Sequence, residues 1–325
     1  MSVRVLSDAV LRTLLSGHDV VDAADRAFRL AVEPGRVRAG QTHYATFADD
    51  AFAFVHSAVA DGATGVVFKT GTQVPGNRDT GLPTVHATVS VHDAGTGETR
   101  ALLNGNTITT LRTSAGLVSA TRALAGDTST VGVLGSGVQA TEFLLLASEV
   151  LDVERFVIWS PRLDEGGPGH LDPRLADLPV EIADSPRALC ESSRVIATCT
   201  LSRDPVVPGE WVHAGTTIVT MGSYEPDRRE IDVACSGRAD VTAVDLPERA
   251  LGGTGPVMEA VRAGVLAEQD VVALGDVLSG ARAGRTDEAQ VVVFHSNGLG
   301  IQDATLASCA YDLACARKVG SIVDL

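Results

Sequence analysis

The sequence is poor in aromatic residues, in positive charge and in long apolar runs, and each shortage excludes something. Aromatic residues make up 4% of the 325 residues and apolar residues 45%, so the core must consist mainly of Val, Leu and Ala, as in buried parallel sheets. The net charge of −15 argues against nucleic acid and anionic membranes as partners. No apolar run approaches the roughly 20 residues of a membrane helix, and the start lacks a signal-peptide core. We therefore expect a soluble cytoplasmic protein.

Cysteine is also scarce, and its spacing predicts neither a disulfide framework nor a metal site. The five cysteines form no Cys-x-x-Cys pair and no His/Cys ligand pattern, so free and mostly buried thiols are expected, with no metal. The acidic balance still allows a small anionic substrate, because a local cationic pocket can exist on an acidic protein. The length is typical of two domains.

The hydrophobic pattern changes along the chain in a way that predicts those two domains. Residues 127–297 alternate short apolar runs with helical segments, which predicts an α/β domain with a Rossmann-type doubly wound parallel sheet. Residues 1–126 combine helices with strand-and-turn patterns, and the last amphipathic helix is expected to return to them. Residues 1–126 and 298–325 are thus predicted to form one discontinuous α+β domain for substrate binding and dimerisation. The strands predicted for the parallel sheet are Thr130–Leu134, Arg155–Trp159, Val195–Thr198, Thr217–Thr220, Asp240–Val244 and Gln290–Phe294.

The stretch VGVLGSGVQA, residues 131–140, connects an apolar strand to an apolar helix through a Gly-x-Gly-x-x-Ala turn. Gly135 permits the tight turn, Gly137 lets the backbone approach a pyrophosphate, and Ala140 is small where helix meets strand. The start of the helix presents amide groups to the anion. A purely structural glycine turn is the alternative. The residues assigned to the cofactor here are Gly135, Ser136, Gly137, Val138 and Gln139.

The second strand of the predicted sheet ends in Trp159-Ser160-Pro161-Arg162. An NAD-binding unit usually has an Asp or Glu here to hold the ribose 2′-hydroxyl. A hydroxyl and a guanidinium suit a 2′-phosphate instead, so Trp159, Ser160 and Arg162 are assigned to a cofactor that is NADP(H) in preference to NAD(H), which stays possible. As an alternative, Arg162 is a solvated loop charge.

Two cations in the first domain occupy positions that are expected to be buried. Lys69 ends an apolar strand, and Arg112 lies on a helix of small residues. A buried cation needs a partner, and acidic residues are sparse in the sequence near both positions. Two interpretations stay open from these residues alone: an internal salt bridge, or a clamp for the carboxylate of a substrate.

Four segments together resemble the ornithine cyclodeaminase/μ-crystallin family. They are GLPTVHATVSVHDAGTGETRALLNGNTITTLRTSAG, VGVLGSGVQA, the region from 211 to 232, and VVVFHSNGLGIQDATLASCAYD. The resemblance implies a homodimer of two-domain subunits with a Rossmann domain. It implies that Lys69 and Arg112 hold the substrate carboxylate. Family members include cyclodeaminases of ornithine or lysine, alanine dehydrogenases, ketimine and iminoacid reductases, and μ-crystallin, which binds ligand.

The chain departs from the family pattern at two places. Gln41 stands where an Arg often adds to the carboxylate site, and we assign Gln41 to substrate binding. Tyr224 stands two residues after Gly222, where cyclodeaminases have an acid/base Asp, and Asp227 stands where those enzymes have glycine. Ring closure with loss of ammonia is therefore the less favoured reaction.

Further residues are assigned with a simpler alternative for each. For proton transfer we consider His86, which is otherwise a strand histidine; Tyr224, which is otherwise a cap on the cofactor cleft; and Asp227, whose alternative is the first turn of a helix. The residues further assigned to the cofactor are Thr198, Cys199, Thr200, Met221, Gly222 and Ser296. An ordinary strand end is the alternative for 198–200.

Together these features predict an NAD(P)H-dependent oxidoreductase that acts on CH–NH, CH–NH₂ or C=N groups. It reduces a small imino acid to an amino acid, or catalyses the reverse dehydrogenation, with Lys69 and Arg112 fixing the carboxylate. The alternatives are an ornithine- or lysine-type cyclodeaminase and a non-catalytic protein that binds NADPH and a ligand, like μ-crystallin. The expected partners are a small anionic substrate and a second copy of the chain, without nucleic acid or membrane.

Overall fold

The computed structural model describes residues 2–46, 51–62 and 64–324, apart from the side chains of Arg78 and Asp79. The chain divides into two compact units. The first comprises Met1–Arg112 with Leu299–Leu325, and the second comprises Thr113–Gly298. This division falls inside the third helix, whereas the sequence pattern places the boundary between residues 126 and 127.

The elements are numbered here in chain order. The strands are β1 (Ser2–Leu6), β2 (Val37–Ala45), β3 (Phe52–Ala60), β4 (Gly65–Gln73), β5 (Val85–Asp93), β6 (Thr99–Asn104), β7 (Thr130–Leu134), β8 (Arg155–Trp159), β9 (Val180–Ile182), β10 (Val195–Thr198), β11 (Thr217–Thr220), β12 (Val241–Val244), β13 (Val271–Ala273), β14 (Val292–His295) and β15 (Ser321–Asp324). The helices are α1 (Asp8–Leu14), α2 (Gly17–Val32), α3 (Gly105–Leu124), α4 (Val138–Val150), α5 (Pro161–Gly166), α6 (Pro186–Ser192), α7 (Val233–Arg238), α8 (Pro247–Gly253), α9 (Gly255–Arg262), α10 (Leu274–Ser279) and α11 (Gly300–Arg317).

The first unit is built on a seven-stranded sheet in the order β15-β1-β6-β5-β4-β3-β2. β1 runs parallel to β6, and the other neighbouring pairs are antiparallel. Alternation along β4 buries Val67 and Lys69 and leaves Phe68 and Thr70 exposed. The buried face packs against α11, which also packs on α2. The sheet therefore has one face toward the core of this unit and one face toward solvent.

The second unit is built on an eight-stranded, fully parallel sheet in the order β13-β12-β14-β11-β10-β7-β8-β9. Its strands are continuous apolar runs because helices cover both faces of such a sheet. The chain order reverses between β7 and β10, and a ligand of a doubly wound sheet binds outside the carboxyl ends of the strands at such a reversal. The arrangement confirms the predicted Rossmann-type fold.

The apolar runs located the parallel strands well. Four of the six predicted strands have the observed bounds, while β12 begins one residue later than predicted and β14 is shifted to Val292–His295. The short β9 and β13 were not predicted, and neither were β1, β2, β6 and β15 of the first unit. All five cysteines are free thiols; two are buried, two are half-buried and Cys315 is exposed. No helix within the described residues is long and apolar enough to cross a bilayer.

Candidate functional site

A row of polar side chains crosses the buried face of the sheet in the first unit. Gln41 on β2 lies opposite His56 on β3, and His56 lies opposite Lys69 on β4. Directly opposed residues of antiparallel strands project to the same face, so all three point the same way. The packing of α11 on β3 and β4 adds Asp303 to this row.

Lys69 and Arg112 meet at one buried carboxylate. The Lys69 ammonium donates to both oxygens of Asp303, at 3.2 and 3.4 Å, and Arg112 Nε donates to Oδ1 at 3.3 Å. Acidic residues are sparse in the sequence near these cations, and their partner Asp303 comes from a distant part of the chain. An internal ion pair is thus observed. The charges do not cancel, since two cations face one anion.

Burial and charge act on these groups in opposite directions. Burial would raise the pKa of Asp303, but the charges of Lys69 and Arg112 outweigh it and hold the pKa below its usual range. Burial lowers the pKa of Lys69 to about 8, and Asp303 opposes the shift without cancelling it. At neutral pH the group therefore carries two positive charges and one negative charge, and keeps one net positive charge.

His56 forms the outer side of this charged group. Its Nδ1 lies 3.9 Å from Oδ2 of Asp303, and its Nε2 lies 2.9 Å from the amide nitrogen of Gln41. The ring of His43 follows on the same side, with 3.4 Å between the two Nε2 atoms. Gln41, predicted to bind substrate, thus joins the group through His56. Nothing in the sequence pattern singled out His56.

In the second unit the predicted cofactor turn lies at the reversal point of the sheet. Gly135 has φ +118°, and a Cβ there would lie 2.5 Å from the carbonyl oxygen of Cys199, so the turns after β7 and β10 are in contact. Gly137 is the N-cap of α4; no described side chain caps it, and a Cβ on it would meet no atom within 4 Å. The first amides of α4 thus open on free space, which is what a pyrophosphate needs.

The remaining residues of the turn are held by hydroxyl contacts. Ser136 Oγ and Ser160 Oγ are 2.7 Å apart, and Ser160 also caps α5 by accepting from the amide of Leu163. Ser114 Oγ donates to Oε1 of Gln139 at 2.9 Å. Val138 is exposed at the helix start. These contacts connect the predicted phosphate turn to the end of β8, where Trp159 is half-buried and Arg162 is exposed.

A fully buried carboxylate, Glu230, joins the loops after β10 and β11. It accepts from the amide and hydroxyl of Thr200, both at 2.8 Å, and from the amide of Gly222 at 2.6 Å. A Cβ on Gly222 would lie 1.7 Å from the Thr200 carbonyl oxygen, so only glycine fits. Burial raises the pKa of Glu230, against the effect of these donors. Thr198, Cys199 and Met221 lie at the same two strand ends.

Asp245 is a second buried carboxylate that fixes a loop, at the end of β12. Its Oδ2 accepts from the hydroxyl of Ser296 at 3.3 Å and from the amides of Asn297 and Gly298 at 2.8 and 2.5 Å. The Thr254 hydroxyl donates to Oδ1 of Asn297 at 2.6 Å. Ser296, predicted to contact the cofactor, is therefore fixed at a strand end by a buried acid.

The residues considered for proton transfer are not brought together. His86 lies on the exposed face of the first-unit sheet, opposite Thr72 and on the other side from Lys69. Tyr224 is half-buried under the Arg228 guanidinium, whose carbon lies 5.2 Å from the ring centroid. Asp227 is exposed and pairs with Arg203 at 2.8 Å. Its predicted place in the first turn of a helix was wrong: it lies in a turn, and the next helix begins after Asp232, which caps it.

Four acidic or basic residues of these regions were missed: His56, Glu230, Asp245 and Asp303. A usable signal existed for Asp303, since it lies in the segment VVVFHSNGLGIQDATLASCAYD that carries the resemblance. It is also the acid in the first turn of α11. Within the described ranges no cluster of His, Cys, Asp or Glu is arranged to hold a metal ion.

Comparison with known proteins gives one consistent family. The sequence profile of the ornithine cyclodeaminase/mu-crystallin family matches residues 4–318. Alanine dehydrogenase of Archaeoglobus fulgidus is 31% identical, over 99% of this chain and 98% of its own. The Delta(1)-pyrroline-2-carboxylate reductase of Thermococcus litoralis, solved with NADH and L-proline, superimposes with a TM-score of 0.89 at 28% identity, covering 98% of this chain and 99% of its own. The iminosuccinate reductase of Paracoccus denitrificans, solved with NAD⁺, has a TM-score of 0.89 at 26% identity over the whole of both chains.

Proposed function

Because the chain belongs to the ornithine cyclodeaminase/mu-crystallin family, we propose that it is a nicotinamide-dependent oxidoreductase that reduces a small imino acid, or dehydrogenates the corresponding amino acid. The observation that carries the proposal is the charged group of Lys69, Arg112 and Asp303, which keeps one positive charge for an anionic substrate. The relatives named for alanine, pyrroline-2-carboxylate and iminosuccinate share a substrate with nitrogen on the carbon next to a carboxylate.

The residues of the second unit fit a dinucleotide. The Gly135–Gly137 turn and the open first amides of α4 would hold the pyrophosphate, and the loops fixed by Glu230 and Asp245 would line the rest of the binding region. When bound, the nicotinamide group supplies or accepts a hydride. The structures of two relatives, one solved with NADH and the other with NAD⁺, support a nicotinamide cofactor.

The finer choice of cofactor is NADP(H) in preference to NAD(H). No Asp or Glu ends β8, and the exposed Arg162 follows Ser160 at the position where a 2′-phosphate would be recognised. The guanidinium of Arg162 makes no ion pair with any residue that the structure describes, so it is available to a phosphate.

In the first unit, Lys69 and Arg112 fix the substrate carboxylate and so orient the adjacent carbon–nitrogen bond. Arg112 gives a directional guanidinium and Lys69 a point charge, and Asp303 keeps both side chains in place. This chain has Tyr224 at the position where cyclodeaminases have an acid/base Asp. This favours plain reduction or dehydrogenation over ring closure.

We further place the protein in the cytoplasm as a homodimer. Free thiols at all five cysteines support a reducing compartment. The open face of the first-unit sheet exposes two aromatic side chains, Tyr44 on the edge strand β2 and Phe68 on β4, which supports burial against a second copy.

The decisive experiment is a screen of NADPH and NADH oxidation against Δ1-pyrroline-2-carboxylate, pyruvate with ammonia, and oxaloacetate with ammonia. We expect oxidation with at least one of them, and Lys69→Ala to lower kcat/KM by about 10- to 150-fold, since a hydrogen bond to a charged group contributes about 1.5–3 kcal/mol. Lys318→Ala, at the exposed C-cap of α11, is the matched control and should behave as wild type.

Two results would contradict the proposal. One is a wild type that oxidises neither cofactor with any of these substrates, and the other is a Lys69→Ala variant as active as wild type. Release of ammonia from ornithine or lysine without net change in NADH would identify a cyclodeaminase instead.

A further inference from the structure

We propose that His56 is the catalytic group that exchanges a proton with the substrate nitrogen, since Tyr224 stands where cyclodeaminases have an acid/base Asp. The inference rests on the proposed function and adds to it the residue that completes the reaction. It starts from a juxtaposition in the first unit: an imidazole lies against the carboxylate that the two substrate-binding cations share.

The neighbours of the ring define its tautomer. The Asp303 carboxylate can only accept, so the nitrogen that faces it, Nδ1, carries the hydrogen. Nε2 lies 2.9 Å from the side-chain amide nitrogen of Gln41, which can only donate, so Nε2 presents its lone pair. Asp303 thus orients the ring as a carboxylate orients a catalytic imidazole. The Nε2 lone pair accepts from Gln41 here, so a substrate N–H takes the place of the Gln41 donor when Nε2 acts as the base.

The exposure of the group places His56 within reach of the substrate. The Lys69 side chain is 3% exposed, whereas those of Arg112 and His56 are each 14% exposed. His56 and Arg112 also face the same Asp303 carboxylate, at Oδ2 and Oδ1, so a carboxylate that reaches Arg112 comes close to His56. In a small imino acid the nitrogen is two bonds from the carboxylate carbon, so an anchored carboxylate leaves the nitrogen near the ring.

The charges around His56 favour an imidazole that is unprotonated at neutral pH and can accept a proton. The titratable groups that surround it are His43 on β2, Lys69 on β4, Arg112 on α3 and Asp303 on α11. Burial lowers its pKa, Asp303 raises it, and the two cations lower it further, so that the sum is a lowering. A bound carboxylate offsets the cations and makes the imidazolium easier to form.

The proton step balances without any further reactant. In amino-acid dehydrogenation an N–H bond of the substrate ammonium breaks, its electron pair stays on nitrogen, and the proton bonds to the lone pair of Nε2. The imidazolium that results faces the Asp303 carboxylate, which stabilises it. In imine reduction a hydride from the reduced nicotinamide bonds to carbon, the C=N π pair moves onto the nitrogen, and that pair then bonds the proton that Nε2 returns.

The kinetic test compares His56→Asn with wild type in the dehydrogenation direction, using the amino acid and oxidised cofactor that the screen identifies. Loss of the base forces the variant to use substrate that is already deprotonated. We expect kcat/KM at pH 7 to fall about 100-fold or more, and log(kcat/KM) of the variant to rise with a slope of one through neutral pH. Wild type should be flat there, and both should decline above about pH 8, where Lys69 loses its charge.

The matched control is His18→Asn, at an exposed histidine of α2 in the same unit. It should keep the wild-type profile. A His56→Asn variant with the wild-type rate and profile would overturn the role of His56 while leaving the proposed function intact. A wild type inactive throughout the screen would overturn the proposed function itself.

A second measurement needs no turnover. The imidazole nitrogens of His56, identified by their absence in His56→Asn, are followed by NMR as a function of pH, with acetate as the probe. We expect a neutral ring protonated on Nδ1, and a pKa that rises when acetate is added. A ring protonated on Nε2, or a pKa that acetate does not move, would overturn the assignment.

Discussion

Asp303 in the first unit and Glu230 in the second are both fully buried carboxylates, yet their surroundings differ completely. Asp303 faces Lys69, Arg112 and His56, so its pKa is lowered in spite of burial. Glu230 faces only neutral donors, the amides of Thr200 and Gly222 and nearby hydroxyls, and its pKa is raised by burial. Burial alone therefore does not decide how a carboxylate titrates; the charge of its partners does.

The difference follows what each region has to bind. The carboxylate region of the first unit uses charged side chains, and Asp303 keeps its two cations from repelling each other. The region of the second unit uses backbone amides and hydroxyls, and Glu230 fixes the loops that carry them. A site for a small anion needs charge and direction, whereas a site for a long cofactor needs several strand ends held in register.

The largest expected effect is on stability when each carboxylate loses its charge. Asp303→Asn leaves the buried Lys69 and the half-buried Arg112 without a counter-charge and should lower the free energy of unfolding by about 3–5 kcal/mol. Glu230→Gln keeps its shape and one acceptor, and should cost about 1–3 kcal/mol through the lost hydrogen bonds. Urea unfolding at pH 7 measures both. Equal losses would show that the two carboxylates do not differ as described.

The pH dependence of the same variants should have opposite signs. The lowered pKa of Asp303 gives stability that is present above its unfolded pKa of about 3.9 and lost as the pH falls, so the gap between wild type and Asp303→Asn narrows in acid. The raised pKa of Glu230 gives stability that is present below about pH 4.3 and lost as the pH rises, so the gap for Glu230→Gln narrows in the other direction. Urea midpoints from pH 3.5 to 7 test both; gaps that move together would refute the contrast.

The smallest expected effect concerns the one charged side chain that we assign to the cofactor. Arg162→Ala should weaken NADPH binding about tenfold and leave NADH binding unchanged, because only the 2′-phosphate distinguishes the two. Fluorescence titration of both cofactors measures this, with Arg187→Ala on α6 as the control. An unchanged affinity for NADPH would show that Arg162 does not recognise the 2′-phosphate. The proposed preference for NADP(H) would then be wrong.

The sequence predicted the parallel sheet well because buried strands need continuous apolar runs, as in β7 and β10. It missed β2, whose exposed residues show no apolar alternation, and β9, which has only three residues. The boundary at 126 followed the end of a helix pattern. The structure divides the chain within that helix, at Arg112, and local periodicity carries no sign of such a division.

The candidate site was predicted only in part, for a different reason. Lys69 and Arg112 stand out as cations in apolar surroundings, and the glycine turn has a recognisable spacing. Their shared partner lies 234 positions from Lys69, and no local pattern connects residues so far apart. The strand register that sets His56 between Gln41 and Lys69 is likewise visible only once the sheet is formed.

The chain has two lysines, and they differ in the accessibility of their amines to chemical reagents. Lys69 is 2% exposed and held by Asp303, whereas Lys318 is exposed at the end of α11 with φ 54°. Among the lysine side chains, reagents that acylate amines should therefore react at Lys318 and spare Lys69. The protein can be immobilised or labelled through a single side chain with its anion-binding residues untouched.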